Sequence, residues 1–212
     1  AVGNIPVVFS AVTEPVEAGI VESWDAPGAN ITGTSNLGPV EDQMALIKEL
    51  APEAKTIGVV YSSGEVNSRV QVDLAREAAE ELGMELKEAA ISATSEVQQA
   101  AQSLDVDALY VPTDSHVVAA IDSVVEAAET KQIPLVVGDA ASVEAGGVAT
   151  YGLDYEQLGY QTALMAIKIL EGEDPAGMPV EKQTESLLVL NKSAAARMGI
   201  TLPQDMLDAA DT

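Results

Sequence analysis

The stretch Thr56-Ile57-Gly58-Val59-Val60-Tyr61 is an aliphatic run, and a helical pattern follows it over Ser68–Leu82. A second run comes at Glu85–Ala90, and Gly83 stands at the position where a glycine commonly ends a helix. Strand, helix and strand in this order are typical of a βαβ unit with parallel strands. The sequence therefore predicts an α/β fold built on parallel sheets.

The same alternation continues on both sides of this unit. Further strands are predicted at Pro6–Phe9, Ile31–Ser35, Ala108–Val111, Leu135–Val137, Ala149–Gly152 and Leu187–Leu190. Further helices are predicted at Pro15–Trp24, Val40–Leu50, Ser95–Ser103, Val117–Lys131, Tyr155–Glu171 and Ala194–Met198. Right-handed crossovers would place the helices on both faces of the sheets. The last residues, 207–212, are acidic and small, and we expect them to fray.

Composition and charge exclude several classes of function. The chain has 212 residues, 47% of them hydrophobic, which is typical of a globular protein. It has no cysteine, which excludes disulfides, thiolate zinc sites and thiol nucleophiles. The net charge of −24 repels nucleic acids and anionic membrane surfaces, so neither is an expected partner. No apolar run reaches the roughly 20 residues of a membrane span, so we expect no direct membrane insertion.

Polar residues follow five of the predicted strands. Because ligands of open parallel sheets bind at the carboxyl ends of the strands, these residues are the candidate binding groups. They lie in Ser10-Ala11-Val12-Thr13, in 62–68 with Glu65 and Asn67, in Pro112-Thr113-Asp114-Ser115-His116, in Gly138-Asp139, and in Leu153-Asp154. Together they offer small hydroxyls, an amide and carboxylates at one type of position.

This set of groups suits a zwitterion. Hydroxyls and free N–H groups at a helix N-terminus attract a carboxylate, so Ser10 and Thr13, before the helix predicted from Pro15, are its candidate partners. A carboxylate attracts an ammonium group, which leaves Asp114, Asp139 or Asp154 as its candidate partner. The alternative is that these aspartates cap helices, as we also expect of the serines at three such positions, Ser68, Ser115 and Ser142.

Catalytic motifs are missing from the chain. It has no Gly-x-Gly-x-x-Gly after a strand, no P-loop, no His-Glu-x-x-His and no Gly-x-Ser-x-Gly. His116 is the only histidine, and without a second one or a cysteine a transition-metal site is not expected. We therefore predict no enzyme activity, no catalytic residue, no metal site and no cofactor.

Six strings of the sequence together resemble the substrate-binding proteins of ABC transporters, specifically the tryptophan/tyrosine-type family with the type I periplasmic-binding-protein fold. The strings are 5–13, 28–33, 57–61 with Glu65, Asn67 and Ser68, 110–114, Gly138-Asp139 with Ser142 and Val143, and 152–155 with 158–162. The match covers nearly the whole chain and is specific as a set.

The resemblance implies two Rossmann-like lobes joined by hinge crossings, with an amino acid, often aromatic, enclosed between them and delivered to an ABC permease. It implies ligand contacts at Ser10, Ala11, Thr13, Glu65, Asn67, Asp114, Asp139 and Asp154. The chain departs from the family pattern at Glu14, Ser62 and Ser115-His116, and the last pair could change the preference for the ligand's side chain.

The resemblance also predicts the domain organisation. Residues 55–148 would form the second lobe, residues 1–38 and 149–212 a partial first lobe, and residues 39–54 the hinge or crossover. Family members place further βα units, a signal peptide and usually a lipid anchor before the strand at Ile5. We therefore expect that the chain lacks this N-terminal part and its signal segment, and that the full-length protein is periplasmic or extracellular and tethered to a membrane.

Two other functions remain open. The same fold could serve as a ligand-sensing domain. A flavodoxin-like enzyme could use Asp114 and Asp139 with Mg²⁺, because carboxylates at strand ends can bind a hard cation. An incomplete first lobe would leave sheet edges and helix faces unpaired, which predicts oligomerisation or low stability.

Overall fold

The computed structural model describes residue 3 and residues 5–211, and it divides into two compact units. Unit 1 consists of Ala1–Gly38 and Leu153–Ser186. Unit 2 consists of Pro39–Gly152 and Leu187–Thr212. The chain therefore passes between the units three times.

The regular elements alternate along the chain. The strands are β1 (Val7–Phe9), β2 (Ile31–Ser35), β3 (Thr56–Ser62), β4 (Glu85–Ile91), β5 (Ala108–Val111), β6 (Leu135–Val137), β7 (Ala149–Gly152), β8 (Glu181–Lys182) and β9 (Leu187–Leu190). The α-helices are α1 (Val40–Leu50), α2 (Val66–Glu81), α3 (Val97–Ser103), α4 (Ser115–Val118), α5 (Ile121–Lys131), α6 (Ala140–Glu144), α7 (Tyr155–Leu170), α8 (Lys192–Arg197) and α9 (Gln204–Ala209). Short 3₁₀ helices lie at Thr94–Glu96 and Pro175–Gly177.

Unit 2 is built on a six-stranded sheet in the order β4-β3-β5-β6-β7-β9. All pairs are parallel except β7 with β9, which are antiparallel. Every residue of β5 and β6 is buried, as expected of aliphatic strands covered on both faces. The predicted α/β fold with mostly parallel sheets is confirmed.

Unit 1 is smaller and has a parallel three-stranded sheet in the order β1-β2-β8. β1 and β2 lie unusually close, since a Cβ added at Gly33 would stand 2.1 Å from the carbonyl oxygen of Phe9. α7 packs on these two strands and buries Leu158 and Met165. None of the helices that the structure describes is both long and apolar enough to span a membrane.

α7 also has an exposed apolar face. Its large side chains Tyr160, Leu164, Ile167 and Leu170 are 61%, 41%, 48% and 86% exposed. Their spacing of three or four residues places them on one side of the helix. We call these four residues the α7 apolar face.

Two predicted helices differ from the structure. Residues 15–24 do not form a regular helix, because one turn, closed by the Ala18 N–H donating to the Glu14 carbonyl at 3.1 Å, ends at Gly19 with φ +67°. The helix predicted over 117–131 is interrupted at residues 119–120, which separate α4 from α5. α6, β8 and α9 were not predicted, and α9 lies partly in the tail that we expected to fray.

The units also differ from the predicted lobe boundaries. α1, predicted in the hinge region, belongs to unit 2, where its apolar residues join the core of the large sheet. β7 and β9, predicted in the first lobe, extend that same sheet. Hydrogen bonding between β7 and β6 therefore moves the boundary from residue 148 to Gly152.

Candidate functional site

Asp114 joins several elements at one end of the large sheet. Its side chain is 1% exposed. Oδ2 accepts hydrogen bonds from the Ser62 N–H and the Ser68 hydroxyl, both at 2.6 Å. Oδ1 accepts from the N–H groups of His116 and Val117 at 3.0 and 2.9 Å, which caps α4. Four donors therefore surround the carboxylate and hold the ends of β3 and β5 to the start of α2.

Glu65 and Asn67 lie beside this anchor. The Glu65 Oε2 accepts from the Asn67 amide at 3.3 Å and from the Ser115 N–H at 3.2 Å. The same Asn67 amide donates to the Thr113 carbonyl at 2.9 Å. The Glu65 Oε1 is 3.8 Å from His116 Nε2. The structure thus brings Glu65, Asn67 and Asp114 together, as the strand-end argument predicts.

Asp139 follows the neighbouring strand β6. It caps α6, where Oδ1 accepts from the Ser142 N–H at 2.8 Å and Oδ2 from the Ser142 hydroxyl at 2.9 Å. A Cβ added at Gly138 would lie 2.9 Å from the Thr113 backbone nitrogen, so the loops after β5 and β6 touch through backbone atoms. This close approach requires a glycine and places Asp139 next to the loop that carries Asp114.

Gln43 of α1 is a buried polar residue that the sequence reasoning missed. Its amide donates to the Tyr151 carbonyl at 2.8 Å, and its Oε1 accepts from the Tyr110 hydroxyl at 2.8 Å. Burial raises the pKa of Tyr110 well above its ordinary value, so the phenol stays a hydrogen-bond donor. The available signal was a glutamine on the apolar side of α1, one residue before the buried Met44.

In unit 1 the loop after β1 carries Ser10, Ala11 and Thr13. Ser10 Oγ lies 3.2 Å from Thr162 Oγ1, which is also 2.6 Å from Thr34 Oγ1. Ala11 has φ +59°, a left-handed conformation that is uncommon for a residue with a Cβ and is found at binding sites more often than elsewhere.

Thr13 begins a second chain of hydrogen bonds in the same unit. Its hydroxyl donates to Asn36 Oδ1 at 3.1 Å, and the Asn36 amide donates to the Tyr155 hydroxyl at 3.1 Å. The expectation that Ser10 and Thr13 precede a helix N-terminus is wrong, because only a single turn follows Pro15. The loop that carries Ser10 and Thr13 therefore leads into a single turn and not into a regular helix whose dipole would attract a carboxylate.

Asp154 caps α7, the longest helix of unit 1. Its Oδ1 accepts from the N–H groups of Glu156 and Gln157 at 2.9 and 3.0 Å, while the side chain remains exposed. The expected alternative, that the three aspartates are N-caps, is therefore confirmed for Asp114, Asp139 and Asp154. Ser68 and Ser142 instead donate their hydroxyls to Asp114 and Asp139.

Within 3 and 5–211, no three histidine, aspartate or glutamate side chains are grouped as metal ligands. The Mg²⁺ alternative relied on Asp114 and Asp139. The four donors around Asp114 use the acceptor positions that a cation would need.

Comparison with known proteins places the chain in a family. Residues 1–212 match the sequence model described as ABC transporter substrate binding protein. The tyrosine-binding protein of Clostridioides difficile (strain R20291) is 41% identical over 194 residues, which are 91% of this chain and 56% of that protein. The chain thus spans little more than half the length of this curated relative.

Two solved structures are similar over 97% of this chain and 70% of theirs, each with a TM-score of 0.91. One is a conserved domain protein of Vibrio cholerae, 40% identical, and the other is an ABC domain of Streptococcus pneumoniae in complex with L-Trp, 36% identical. The resemblance to the tryptophan/tyrosine-type proteins and the type I periplasmic-binding-protein fold is confirmed. The chain therefore belongs to the family of ABC transporter substrate-binding proteins.

Proposed function

We propose that the chain is the solute-binding part of an ABC importer and that it binds a zwitterionic amino acid, with tryptophan and tyrosine as the first candidates. The observation that carries the proposal is its 36% identity, over 97% of the chain, to a domain solved with L-Trp. The 41% identity to a tyrosine-binding protein supports the same class of ligand.

Each unit carries polar groups of the kinds that such a ligand requires. Ser10, Ala11 and Thr13 bind the carboxylate through hydroxyls and backbone groups. Glu65 and Asp154 bind the ammonium group, since Glu65 is 20% exposed and Asp154 is exposed, and Asn67 orients the Glu65 carboxylate.

Asp114 and Asp139, the two remaining predicted contacts, have a different role in the proposal. The oxygens of Asp114 and Asp139 already accept hydrogen bonds from neighbouring backbone and serine groups. These aspartates hold the strand-end loops in position, and their side chains border the ligand without being its main charge partners.

The full-length protein, in this proposal, acts outside the cytoplasmic membrane, to which it is tethered, and passes the ligand to an ABC permease. It binds without turnover, because a transport component needs affinity and release but no chemical step. The competing proposal of a Mg²⁺-dependent enzyme differs in requiring a cation and in producing a reaction product.

The experiment is a thermal-shift scan of the chain against the twenty amino acids, with and without Mg²⁺, followed by calorimetric titration. We expect protection by tryptophan or tyrosine that does not depend on Mg²⁺. A ligand at 100 times its Kd adds about 2.7 kcal/mol to the free energy of unfolding. Protection that requires Mg²⁺ would favour the enzyme, and no protection by any amino acid would contradict the proposal.

Asp154 and Asp174 give a matched pair for testing a contact in unit 1. Both are exposed N-caps, and Asp174 accepts from the Ala176 N–H at 3.1 Å as Asp154 accepts from Glu156. Asp154→Ala should weaken binding by about 1.5–3 kcal/mol, the value of a hydrogen bond to a charged group. Asp174→Ala should leave the Kd unchanged, and equal effects of the two substitutions would remove Asp154 from the site.

A further inference from the structure

We propose that His116 is a positioning residue of the ligand site, and that its protonated ring competes with the ligand's ammonium group for the carboxylate of Glu65. This inference rests on the proposed function, because it assigns Glu65 to the ammonium group. It predicts that the single histidine of the chain makes amino-acid binding weaker in acid.

The two oxygens of Glu65 have different surroundings. Oε2 is engaged by the Asn67 amide at 3.3 Å and the Ser115 N–H at 3.2 Å. Oε1 faces His116 Nε2 at 3.8 Å, which is too long for a hydrogen bond. Oε1 is therefore the oxygen that is open to a new cationic partner.

His116 is held in this position from two sides. Its backbone N–H donates to the buried Asp114 at 3.0 Å, which ties the residue to the N-terminus of α4. Its ring Nδ1 lies 3.2 Å from Thr94 Oγ1, in the short helix Thr94–Glu96. The ring is 43% exposed, so it is in contact with solvent while these two bonds hold its position relative to Glu65.

The charged groups around the ring leave Glu65 as its partner. On the side of α2, Glu65 is the one carboxylate within 4 Å of a ring nitrogen among the residues that the structure describes. On the side of the short helix, Thr94 is uncharged, and the neighbouring Glu96 accepts from the Ser92 N–H at 2.7 Å. On its own element, Asp114 accepts a hydrogen bond from the backbone N–H of His116.

Protonation changes what this arrangement does. Histidine is the side chain that changes charge between about pH 5 and 8. A neutral ring at 3.8 Å leaves Oε1 open, whereas an imidazolium ring is attracted to it and repels a second cation there. The ligand's ammonium group therefore meets a competitor in acid that is absent at higher pH.

The test is calorimetric titration of the whole chain with L-tryptophan and L-tyrosine at about pH 5.5 and about pH 8, on either side of the histidine range. The Kd of the unaltered chain should be about two- to fivefold higher at the lower pH, as expected for a partly exposed ion pair. His116→Gln keeps the backbone hydrogen bond to Asp114. In this variant the ratio of the Kd at the lower pH to the Kd at the higher pH should fall to about one.

A nuclear magnetic resonance titration gives a second measurement, because only one histidine ring contributes to the spectrum. By reciprocity of linked binding, tryptophan should lower the pH at which this ring becomes charged. A His116→Gln chain with the pH ratio of the unaltered chain, or a ring whose titration ignores the ligand, would overturn the inference. Equal Kd values at both pH values overturn it alone, whereas no binding at either pH overturns the proposed function with it.

Discussion

The Ser68 hydroxyl donates to Asp114 Oδ2 at 2.6 Å, and both side chains are buried. Ser68 lies in the first turns of α2, and Asp114 lies between β5 and α4. The bond therefore joins two elements that follow neighbouring strands, at the end of the sheet where the candidate ligand contacts of unit 2 are found. Asp114, which was predicted as a ligand contact, therefore also holds the loops of the candidate site together through its hydrogen bonds.

Asp114→Ala should lower the free energy of unfolding by about 3–5 kcal/mol, because it leaves buried donors from three elements without an acceptor. Ser68→Ala removes one of the four bonds and should cost about 1–3 kcal/mol. Urea denaturation measures both changes. Ser103→Ala, at an exposed serine, is the control and should change the value by less than about 0.5 kcal/mol. A loss at Asp114 no greater than the control would contradict this role.

Gly138→Ala should destabilise the chain by about 1–3 kcal/mol, because the new Cβ would lie 2.9 Å from the Thr113 nitrogen and force the backbone apart. Gly159→Ala is the matched control, since no atom lies within 4 Å of its added Cβ in α7. There alanine should raise the free energy of unfolding by up to about 1 kcal/mol. If thermal or urea unfolding shows that both substitutions change the free energy of unfolding in the same direction, the close approach of Gly138 to the Thr113 backbone is disproved.

Gln43→Leu should cost about 1–3 kcal/mol, because the buried Tyr110 hydroxyl and the Tyr151 carbonyl each lose a partner. Tyr110→Phe removes the other member of one of these bonds. A double-mutant cycle on urea unfolding should then show a coupling energy of about 0.5–3 kcal/mol between the two positions. Additive effects would mean that the bond contributes nothing measurable to stability.

Asp107 should contribute to the acid sensitivity of unit 2. Its Oδ2 accepts from the Lys55 N–H, the Thr56 N–H and the Thr56 hydroxyl, all at 2.9 Å, and these bonds, the Lys55 bond first, lower the pKa of the carboxyl. A carboxyl with a lowered folded-state pKa stabilises the fold above its unfolded pKa of about 3.9. This stabilisation is lost as the pH falls from about 5 through the folded-state value.

Asp107→Asn should therefore flatten the acid side of the stability profile, measured by urea unfolding between about pH 2.5 and pH 6. Asp105→Asn, two residues away and also exposed, is the control. If the free energy of unfolding changes with pH equally steeply in both variants, the three hydrogen bonds to Asp107 do not determine how acid destabilises the chain.

The α7 apolar face should make the chain associate with itself. Four large side chains that are 41–86% exposed on one side of a helix form a surface that other proteins commonly cover. The charge of −24 keeps copies apart at low salt, so the apparent mass in light scattering should rise with added salt. Ile167→Glu should restore a monomer, whereas a monomer at all salt concentrations without any substitution would contradict this prediction.

Periodicity was sufficient for most of the fold. All eight predicted strands exist, and α1 begins and ends at the predicted residues, because buried strands and amphipathic helices have distinct patterns. The helix predicted over residues 15–24 does not form, because Gly19 takes a left-handed conformation. This conformational preference of glycine outweighs a short apolar pattern. β7 and β9 were assigned to the wrong unit, because an apolar run predicts a buried strand but does not indicate to which sheet the strand belongs.

The sequence predicted where the residues of the candidate site lie, but it did not predict the hydrogen bonds that each of them makes. Chain order placed Glu65, Asn67 and Asp114 at adjacent strand ends, and they do lie together. The sequence could not show that Asp114 is surrounded by four donors, because three of them are backbone N–H groups and the fourth is the hydroxyl of Ser68, which is distant in the chain. Gln43 was missed for the same reason, since its partners lie on other elements.

The three passages of the chain between the units also govern the order in which the protein can fold. β9 completes the large sheet by pairing with β7, yet Leu153–Ser186 of unit 1 is synthesised between the two strands. A nascent chain that has been released only as far as residue 152 has β7 as an open edge, which is prone to pair with other chains. Unit 2 therefore closes last at its antiparallel edge, and neither unit can be excised as one continuous fragment.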